Sequence, residues 1–386
     1  MAKLGEICEI LNGFAFKSKE YVKSGIRIIR IANVQKGYIE DNSPVFYPEK
    51  SVDAQKYMLD NGDLLISLTG NVGRVALIEE RFLPAALNQR VACLRIKNNT
   101  LLHKKYLYHF LNSDFFEEMC ITSSKGVAQK NMSTEWLKEY EIPLIPIKKQ
   151  DQIANILDRL DNLISLRKQQ LAKLDELVKA RFVEMFGDPI QNPFGWITKP
   201  LLEMGYCKNG MNFHTGDSGI EMHCLGVGDF KDYSVIDGTD YLSTVSLNEA
   251  PPEESMLQDG DIVFVRSNGN KSLVGRCLVV YPRKTPTTYS GFCIRYRLTS
   301  GEVNTTYLLR VLKTDSMRKK MLGRGANIQN LNQQILATLD IPTPPLKLQE
   351  QFATFVEQTG KSKLTIQQSL DKLEVLKKSL MQEYFG

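Results

Sequence analysis

The sequence predicts an α+β protein in which two mixed α/β domains are each followed by one long helix, so that the chain forms a pseudo-twofold internal repeat. Three observations predict this fold: the chain length, a repeat that runs through the whole chain, and a change of periodicity inside each copy. A chain of 386 residues is too long for one small domain. With 42% hydrophobic and 24% charged residues, its composition is typical of soluble globular proteins with packed cores.

The internal repeat is visible when the chain is aligned with itself. The first copy ends at Phe186-Gly187 and the second at Phe385-Gly386, a shift of 199 residues (386 − 187). Matching segments follow in the same order in both copies: Gly25-Ile26 with Gly219-Ile220, Leu59–Leu64 with Leu257–Ile262, Val72–Arg74 with Val274–Arg276, Ile142–Pro146 with Ile341–Pro345, and Gln150–Ile153 with Gln349–Phe352. Two copies of one plan in a single chain predict pseudo-twofold symmetry.

Each copy opens with about 145 residues that carry strand signals. Short apolar runs such as Arg27–Ile31, Leu64–Ser67 and Ile262–Val265 are punctuated by Asn-Gly and Asp-Gly turn signals. Apolar residues at steps of three and four predict one short helix inside each strand-rich part, near Tyr106–Phe116 and Tyr307–Met321.

A long helical pattern follows each strand-rich part. Its apolar residues recur at alternating steps of four and three, the heptad spacing of a coiled-coil seam. The predicted seam residues are Ile153, Leu157, Leu160, Ile164, Leu171, Leu174 and Val178 in the first helix, and Phe352, Val356, Ile366, Leu370, Leu373 and Leu380 in the second. Polar residues interrupt the seams at different places, namely Arg167 and Arg181 in the first, and Thr359, Lys363 and Lys377 in the second. Two seams with different breaks favour pairing of the helices with each other over two separate homodimers.

The alternative is that each helix packs only on its own domain. A helix of about 35 residues spans about 50 Å at about 1.5 Å per residue, which is longer than a domain of this size requires. We therefore favour mutual pairing. The predicted division of the chain is a first strand-rich domain at 1–146, a central helix at 147–187, a linker and second strand-rich domain at 188–345, and a C-terminal helix at 346–386.

The sequence contains no complete catalytic motif. Gly360–Ser362 resembles the end of a phosphate-binding loop, but Phe355 stands where the first glycine should be and the segment lies inside a helical pattern. Asn192–Phe194 resembles part of the Asn-Pro-Pro-aromatic motif of adenine methyltransferases, but the second proline is missing and the segment lies in a turn-rich connector. The 4 histidines have no metal-ligand spacing. We expect no catalytic residue, no metal site and no cofactor in this chain itself.

Cysteine usage and hydropathy indicate the compartment. The 7 cysteines are an odd number without a C-x-x-C pair, which predicts reduced and mostly buried thiols. No run approaches the roughly 18 to 20 apolar residues that a membrane helix needs, and the N-terminus has no signal-peptide pattern. We expect a cytoplasmic protein without a membrane partner.

Binding signals are stronger than catalytic ones. Two loop segments rich in Gly, Asn, Gln and basic residues occur in each copy: Thr69–Arg74 and Ser123–Asn131 in the first, Arg266–Lys271 and Gly323–Asn330 in the second. Glycines let the backbone approach a phosphate, Lys and Arg neutralise it, and Asn, Gln and Arg can pair with purine edges. Plain surface loops are the alternative, but recurrence in both copies favours binding.

The net charge of +5, from 49 basic and 44 acidic residues, permits a polyanionic partner without requiring one. The predicted nucleic-acid-binding residues are Lys17, Arg74, Lys125, Gln129, Lys130 and Asn131 in the first copy, and Arg266, Asn268, Asn270, Lys271, Arg276, Arg324, Asn327, Gln329 and Asn330 in the second.

Taken in order, these features make the whole chain similar to the specificity subunit of type I restriction-modification enzymes. That family consists of a target-recognition domain, a helix, a second target-recognition domain and a second helix. The residues that carry the resemblance are Leu4–Ile10 with Asn12–Ser18, Asn61–Leu65, Ile142–Pro146 leading into Gln150–Ile153, and Phe186–Pro189 followed by Trp196. The second opening, Leu201–Phe213, is more divergent.

The resemblance implies that the helices form an antiparallel coiled coil and hold the recognition domains apart, so that each domain reads one half of a bipartite target in double-stranded DNA. A helix of about 50 Å corresponds to about fifteen base pairs at about 3.4 Å each, so helix length would set the spacer between the halves. The implied partners are two methyltransferase (modification) subunits, which use S-adenosylmethionine and flip the target adenine, and restriction/translocase subunits, which use ATP and Mg²⁺.

Two other classes of protein stay open. An enzyme with its own active site would need a cofactor loop and a complete methyltransferase or nuclease motif, and the sequence has neither. A coiled-coil adaptor protein without a DNA role would show no salt-dependent DNA binding even with its partners present.

Overall fold

The computed structural model of the chain describes residues 1–124, 131–214, 216–230, 234–322 and 330–386. The chain packs into two compact units. Unit 1 comprises Met1–Lys168 with Gln368–Gly386, and unit 2 comprises Gln169–Gln367. Each unit has one strand-rich part and a part of both long helices, which confirms the α+β class and the internal repeat. The four-segment division given above stays a prediction. The two units are groups of residues that pack together, and the boundaries between them lie inside the two long helices rather than at the ends of these helices.

The strand-rich part of unit 1 is built from two sheets and a short strand pair. Its described strands are β1 (Ala2–Lys3), β2 (Cys8–Asn12), β3 (Ile26–Ile29), β4 (Phe46–Tyr47), β5 (Met58–Leu59), β6 (Leu64–Ser67), β7 (Val75–Leu77), β8 (Ala85–Leu87), β9 (Val91–Ile96) and β10 (Glu141–Ile142). The sheet orders are β2-β9-β6-β7 and β4-β3-β8-β5, and β1 pairs with β10. β3 and β8 run parallel, whereas the other neighbouring strands run antiparallel.

Unit 2 repeats this plan. Its described strands are β11 (Thr198–Pro200), β12 (Gly205–Asn209), β13 (Ile220–Leu225), β14 (Val235–Asp237), β15 (Thr244–Leu247), β16 (Asp261–Val265), β17 (Cys277–Tyr281), β18 (Thr287–Tyr289), β19 (Cys293–Leu298) and β20 (Asp340–Pro342). The sheet orders are β12-β19-β16-β17-β14 and β15-β13-β18, and β11 pairs with β20. β12-β19-β16-β17 is therefore the counterpart of β2-β9-β6-β7, and the parallel pair β13-β18 is the counterpart of β3-β8.

Short helices lie within both strand-rich parts, and one long helix follows each part in the sequence. The described α-helices are α1 (Leu4–Ile7), α2 (Val52–Lys56), α3 (Lys104–Leu111), α4 (Asp114–Ser123), α5 (Thr134–Glu139), α6 (Ile147–Phe186), α7 (Thr305–Leu312), α8 (Asp315–Leu322), α9 (Gln333–Ala337) and α10 (Leu346–Phe385). Short 3-10 turns lie at Ser18–Glu20, Ile31–Asn33, Glu80–Phe82, Leu201–Glu203, Val227–Asp229, Glu253–Ser255 and Lys271–Leu273.

The prediction of one short helix near Tyr106–Phe116, and of another near Tyr307–Met321, was wrong: each region holds two helices. Ser113 is the N-cap of α4, and its Oγ accepts a hydrogen bond at 3.2 Å from a backbone N–H three residues on. Thr314 makes the corresponding contact at the start of α8, at 3.4 Å. A short polar residue that caps the second helix divides the run, and apolar periodicity alone does not reveal it.

The core of each unit lies between its sheets and helices. All four residues of β6 and all five residues of β16 are buried, as expected for central strands with both faces covered. The seven cysteines are free thiols, and all except the half-buried Cys207 are buried, as predicted. Burial raises the pKa of Cys8 to about 12, so this thiol stays protonated near neutral pH.

A buried glutamine anchors the start of each long helix. The Nε2 of Gln150 donates to the carbonyl oxygens of Leu101 and Ile145 at 2.9 and 2.7 Å, and its Oε1 accepts from the N–H of His103 at 2.9 Å. The counterpart residue makes the same set of contacts in unit 2, with Gln349 bonded to Glu302, Pro344 and Asn304 at 3.1, 2.7 and 2.8 Å. Because each amide joins the helix to a loop of the strand-rich part, the helix has a fixed direction of departure.

Within unit 1, α6 and α10 run antiparallel. The Nζ of Lys168 lies 2.8 Å from a carboxylate oxygen of Glu374, and Lys377 pairs with Asp161. Along α6 from residue 161 to residue 168, the partners on α10 go from residue 377 back to residue 374, so the two helices run in opposite directions. Lys377 is one of the predicted breaks in the seam, and its ion pair with the other helix explains why a charge is tolerated there.

Within unit 2 the same direction is seen. The Nζ of Lys363, a second predicted break, lies 2.6 Å from Asp175. Further along, the rings of Phe182 and Phe352 have centroids 5.5 Å apart. Oppositely charged residues at the breaks thus join the two helices, and the pairing is antiparallel in this unit too.

The predicted seam positions are the less exposed positions of both helices. Leu157, Leu160, Phe352 and Leu370 are buried, and the other predicted seam residues are half-buried. In unit 1, Leu373 and Leu380 pack against the buried hydrophobic cluster that contains Leu157 and Leu160. The identity of each residue as a coiled-coil contact stays a prediction.

The terminal phenylalanine of each copy packs on a tyrosine of the short helices. Phe385 lies 5.5 Å from Tyr106 in unit 1, and Phe186 lies 4.7 Å from Tyr307 in unit 2, measured between ring centroids. α6 begins in unit 1 and ends in unit 2, whereas α10 begins in unit 2 and ends in unit 1. The repeated Phe-Gly ending is therefore the point at which each helix is held by a strand-rich part.

Candidate nucleic-acid interface

Strand ends and loops meet at one edge of unit 1. The N–H of Phe14 donates to the carbonyl of Leu87 at 2.9 Å, and the N–H of Gln89 donates to the carbonyl of Phe14 at 2.9 Å. Gly13 makes this approach possible, because a Cβ on Gly13 would overlap the carbonyl group of Asn88. The opening segment 12–17 is thus joined to the turn between β8 and β9.

Two further segments lie next to this turn. The N–H of Leu68 donates to the carbonyl of Arg90 at 3.0 Å, and the N–H of Met132 donates to the carbonyl of Leu68 at 2.8 Å. Thr69 and Asn131 form an antiparallel bridge. We call the four segments 12–17, 68–74, 88–90 and 131–132 the unit 1 platform. The first loop singled out in the sequence, Thr69–Arg74, and Asn131, the last residue of the second, therefore come together at this platform.

Unit 2 builds the same arrangement, the unit 2 platform, from segments 209–213, 266–276, 290–292 and 330–331. The backbone hydrogen bonds are Met211 N–H to Tyr289 at 3.0 Å, Gly291 N–H to Met211 at 2.6 Å, Arg266 N–H to Phe292 at 2.8 Å and Leu331 N–H to Arg266 at 2.8 Å, and Ser267 bridges Asn330. A Cβ on Gly210 would overlap the carbonyl group of Ser290, as for Gly13. The divergent second opening thus has the same backbone role as the first.

The described binding candidates of unit 1 lie on its platform. Lys17 is exposed, with its Nζ 3.8 Å from Glu20, and Asn131 is exposed beside Thr69. Arg74 is half-buried and donates to Gln35. Lys125, Gln129 and Lys130 lie outside the described residues.

The candidates of unit 2 are distributed in the same way. Arg266 is half-buried, and its Nη1 donates to the carbonyl of Gly291 at 3.3 Å. The side-chain oxygens of Asn268 and Asn270 accept backbone N–H groups two residues on, at 2.8 and 3.0 Å, which shapes the loop. The remaining described candidates are the exposed Lys271 and Asn330 and the half-buried Arg276. Arg324, Asn327 and Gln329 fall in a part of the chain that the structure does not describe.

Sequence reasoning missed one segment of each platform, the turn between β8 and β9 and its counterpart between β18 and β19. This turn carries Gln89 and Arg90 in unit 1, and Gly291 and Phe292 in unit 2. The two copies share no residue type here, so the repeat could not mark the position. In unit 1 the sequence offered one signal, the polar pair Gln89-Arg90 between two apolar runs.

A buried aspartate paired with an arginine supports the strands that lead into each platform. In unit 1 the Arg95 guanidinium donates to Asp63 at 2.6 Å, and in unit 2 Arg297 donates through Nε and Nη2 to Asp261, both at 2.8 Å. Hydrogen bonding to the Asp261 carboxylate is the main cause of the raised pKa of Arg297. Asp63 directly precedes β6 and Asp261 is the first residue of β16, whereas the arginines lie on the neighbouring strands β9 and β19. Each pair therefore joins the ends of two adjacent strands.

The two incomplete motifs, Asn192–Phe194 and Gly360–Ser362, lie in a connector turn and in a helix. Asn192 donates through Nδ2 to the carbonyl of Trp196 at 2.7 Å and accepts the N–H of Trp196 at 2.9 Å, which closes the connector turn. Gly360–Ser362 lies inside α10. His109 is buried beside Asp158, 2.9 Å away, and burial lowers its pKa. Among the described ranges, no group of three His, Cys, Asp or Glu side chains is placed to hold a metal ion, and no helix is long and apolar enough to cross a membrane.

Comparisons with known proteins agree with the repeated plan. The type I restriction enzyme StySPI specificity subunit of Salmonella potsdam is 25% identical over 382 residues, which cover 92% of this chain and 81% of that protein. The EcoKI specificity subunit of Escherichia coli (strain K12) is 22% identical over 386 residues, which cover 93% of this chain and 81% of that protein. The crystal structure of the type I restriction-modification system S subunit from M. genitalium shares the fold, with a TM-score of 0.60 and 16% identity over 100% of this chain and 95% of that chain.

The family described as Type I restriction modification DNA specificity domain matches residues 1–176 and 231–376. The matched residues cover most of the chain. They include the unit 1 platform, three of the four segments of the unit 2 platform and most of both long helices. The chain therefore belongs to the family of type I restriction-modification DNA specificity subunits.

Proposed function

We propose that each unit of this chain reads one half of a bipartite target in double-stranded DNA, and that α6 and α10 set the spacer between the halves and bind two methyltransferase subunits. The observation that carries this proposal is that one platform is built twice from the same four segments. A protein that reads two half-sites needs two equivalent readers, and an internal repeat supplies them in one chain.

The composition of the platforms supports a polyanionic ligand. Neither the four platform segments of each unit nor the adjoining sequences 125–130 and 323–329 contain Asp or Glu, although the chain has 44 acidic residues. Their basic residues are Lys17, Arg74, Arg90, Lys125 and Lys130 in unit 1, and Arg266, Lys271, Arg276 and Arg324 in unit 2. Such segments can neutralise phosphates with the basic groups and pair with base edges through Asn, Gln and Arg.

The length of the helices supports the spacer role. α6 and α10 each have 40 residues without interruption, or about 60 Å at about 1.5 Å per residue. Gln150 and Gln349 hold the helix starts, and Phe186 and Phe385 hold the helix ends. A helix that is fixed at both ends can transmit its length to whatever it connects.

We assign the chemistry of the complex to its other subunits. In this proposal the methyltransferase subunits bind S-adenosylmethionine and modify a flipped adenine. Restriction/translocase subunits bind ATP and Mg²⁺. The chain itself contributes recognition and does not catalyse a reaction.

The salt dependence of DNA affinity tests the platform proposal. In the complex with the methyltransferase subunits, Lys125→Ala combined with Arg324→Ala should weaken binding and reduce the slope of log affinity against log salt by about two. Each lost phosphate contact releases about one counterion fewer. Fluorescence anisotropy of a labelled duplex at several salt concentrations measures both quantities.

The matched control is Arg81→Ala combined with Lys199→Ala. It removes the same charge, one from each unit, at side chains that pair with Glu79 and Glu302 at 2.8 and 2.6 Å. Neither residue lies in a platform or in the adjoining sequences 125–130 and 323–329. This control should leave the slope unchanged. Equal slopes for the wild type and for Lys125→Ala with Arg324→Ala would contradict the assignment of these two residues. No salt-dependent binding by the wild-type complex would contradict the proposal as a whole and favour an adaptor without a DNA role.

A further inference from the structure

The internal repeat allows the two platforms to be compared position by position. The polar positions that keep their chemistry in both copies include a hydroxyl at Thr69 and Ser267, an arginine at Arg74 and Arg276, and an amide at Asn131 and Asn330. If both units bind DNA, these shared groups suit what every DNA half-site has in common, namely phosphate and sugar.

The two corner positions of one turn differ completely. Between β8 and β9 the turn residues are Gln89 and Arg90, whereas between β18 and β19 they are Gly291 and Phe292. The backbone of the two turns is nevertheless the same. The N–H of Val91 donates to the carbonyl of Asn88 at 2.9 Å, and the corresponding bond in unit 2 measures 2.8 Å. The fold is therefore kept while the side chains change.

The geometry of the turn presents its two corner residues to solvent. Gln89 and Arg90 are both exposed. Their backbone is held from both sides, since the N–H of Gln89 bonds to Phe14 and the carbonyl of Arg90 accepts the N–H of Leu68. Among the described residues, no carboxylate or carbonyl pairs with the Arg90 guanidinium. A fixed backbone that carries exposed, unpaired donors loses little entropy when it binds a ligand.

The counterpart turn in unit 2 presents an apolar group. Phe292 is 61% exposed, more than any other phenylalanine among the described residues. Gly291 is buried, and a Cβ there would overlap the side chain of Asn212. The unit 2 turn therefore offers one ring and no polar side chain at these two positions.

We propose that this turn is a base-reading element of each platform, with Gln89 and Arg90 reading purine edges in one half-site and Phe292 making apolar contact with bases in the other. The inference rests on the proposed function and goes beyond it by naming the residues. Arginine donates two parallel hydrogen bonds to guanine O6 and N7, and glutamine can pair with adenine N6 and N7. An aromatic ring instead contacts a thymine methyl group or a base face.

Methylation mapping of single variants tests this assignment. The chain is co-expressed with its methyltransferase in a host without adenine methylation, and long-read sequencing gives the methylated motif. Arg90→Ala should relax the requirement for one base pair in one half of the motif, while the other half and the spacer stay the same. Phe292→Ala should change only the other half.

Arg81→Ala is the matched control, because Arg81 is an exposed arginine of unit 1 that precedes the opposite end of β8. It should leave the motif unchanged. An unchanged motif for Arg90→Ala, at full or reduced methylation, would overturn the assignment and leave Arg90 as a phosphate contact. A relaxed base in both halves would overturn it too. If the wild-type chain itself produces no motif, the proposed function fails instead.

Arg90→Lys is a second test, for the case in which the Arg90→Ala complex methylates DNA too weakly for its motif to be determined. Lysine keeps the charge but lacks the two parallel donors of arginine. The Arg90→Lys complex should still bind DNA, with its preference for one base reduced about tenfold in competition assays with duplexes that carry each base in turn. Undiminished preference at every position would overturn the proposal.

Discussion

A chain that lacks one heptad in each long helix should direct methylation to a target whose spacer is about three base pairs shorter. Seven residues remove about 10 Å of helix, and base pairs are about 3.4 Å apart. Seven residues are also close to two full turns, so the seams keep their faces. Sequencing of methylated DNA from cells that express the shortened chain with its methyltransferase measures the spacer directly.

Residues 165–171 and 368–374 are suitable for this deletion. They include both members of the Lys168–Glu374 ion pair, so that neither charge is left without its partner. The Asp161–Lys377 and Asp175–Lys363 pairs lie outside the deleted residues.

Deleting 165–171 alone is the control, because it shifts one helix by about 10 Å against the other. That variant should lose methylation or folding. An active double deletion with the original spacer would refute the role of the helices in setting the spacer.

Replacing Arg297 with alanine should lower the free energy of unfolding by about 3 kcal/mol, the lower end of the usual cost of breaking a buried ion pair, because Asp261 keeps Arg295 at 3.9 Å. Asp261 is only 1% exposed, and Arg297 is 15% exposed. The loss should be visible in chemical denaturation of the full chain, as a lower midpoint for the transition of unit 2. The unit 2 platform should weaken with it, because β16 and β19 carry two of its segments.

The repeat supplies an internal comparison for this prediction. Arg95→Ala should cost less than Arg297→Ala, because Arg95 is 31% exposed and water can partly replace its contact with Asp63. Arg283→Ala, which removes an exposed ion pair with Asp237, should cost far less than either. Equal losses for Arg297→Ala and Arg283→Ala would show that the burial of Asp261 does not control the stability of unit 2.

The fold class and the repeat were predictable from the sequence because their signals are local and occur twice. Runs such as Leu64–Ser67 and Ile262–Val265 are short and apolar whichever copy is read. The heptad steps follow from burial of one helix face, and the less exposed positions of α6 and α10 follow the same steps. The boundary between α3 and α4 was missed because a single capping residue, Ser113, decides it.

The candidate site was predictable only in part. Thr69–Arg74 and Ser123–Asn131 were visible because their composition is unusual and recurs. The turn at Gln89 and Arg90 was not, because its place on the platform depends on pairing with Phe14 and Leu68, which are distant in the sequence. The partners of Lys363 and Lys377 were missed for the same reason, since periodicity marks a break in a seam but does not identify the opposite charge.

The central claim, that this chain supplies two readers of one split DNA target, is tested most directly by mapping methylated adenine in a methylation-free host. The host expresses the methyltransferase with this chain, and the control host expresses the methyltransferase alone. We expect a bipartite motif with a fixed spacer only when the chain is present. Two results would contradict the claim, provided that the methyltransferase is folded and bound to this chain. One is that no new motif appears, and the other is that the only motif is one that the methyltransferase also produces alone.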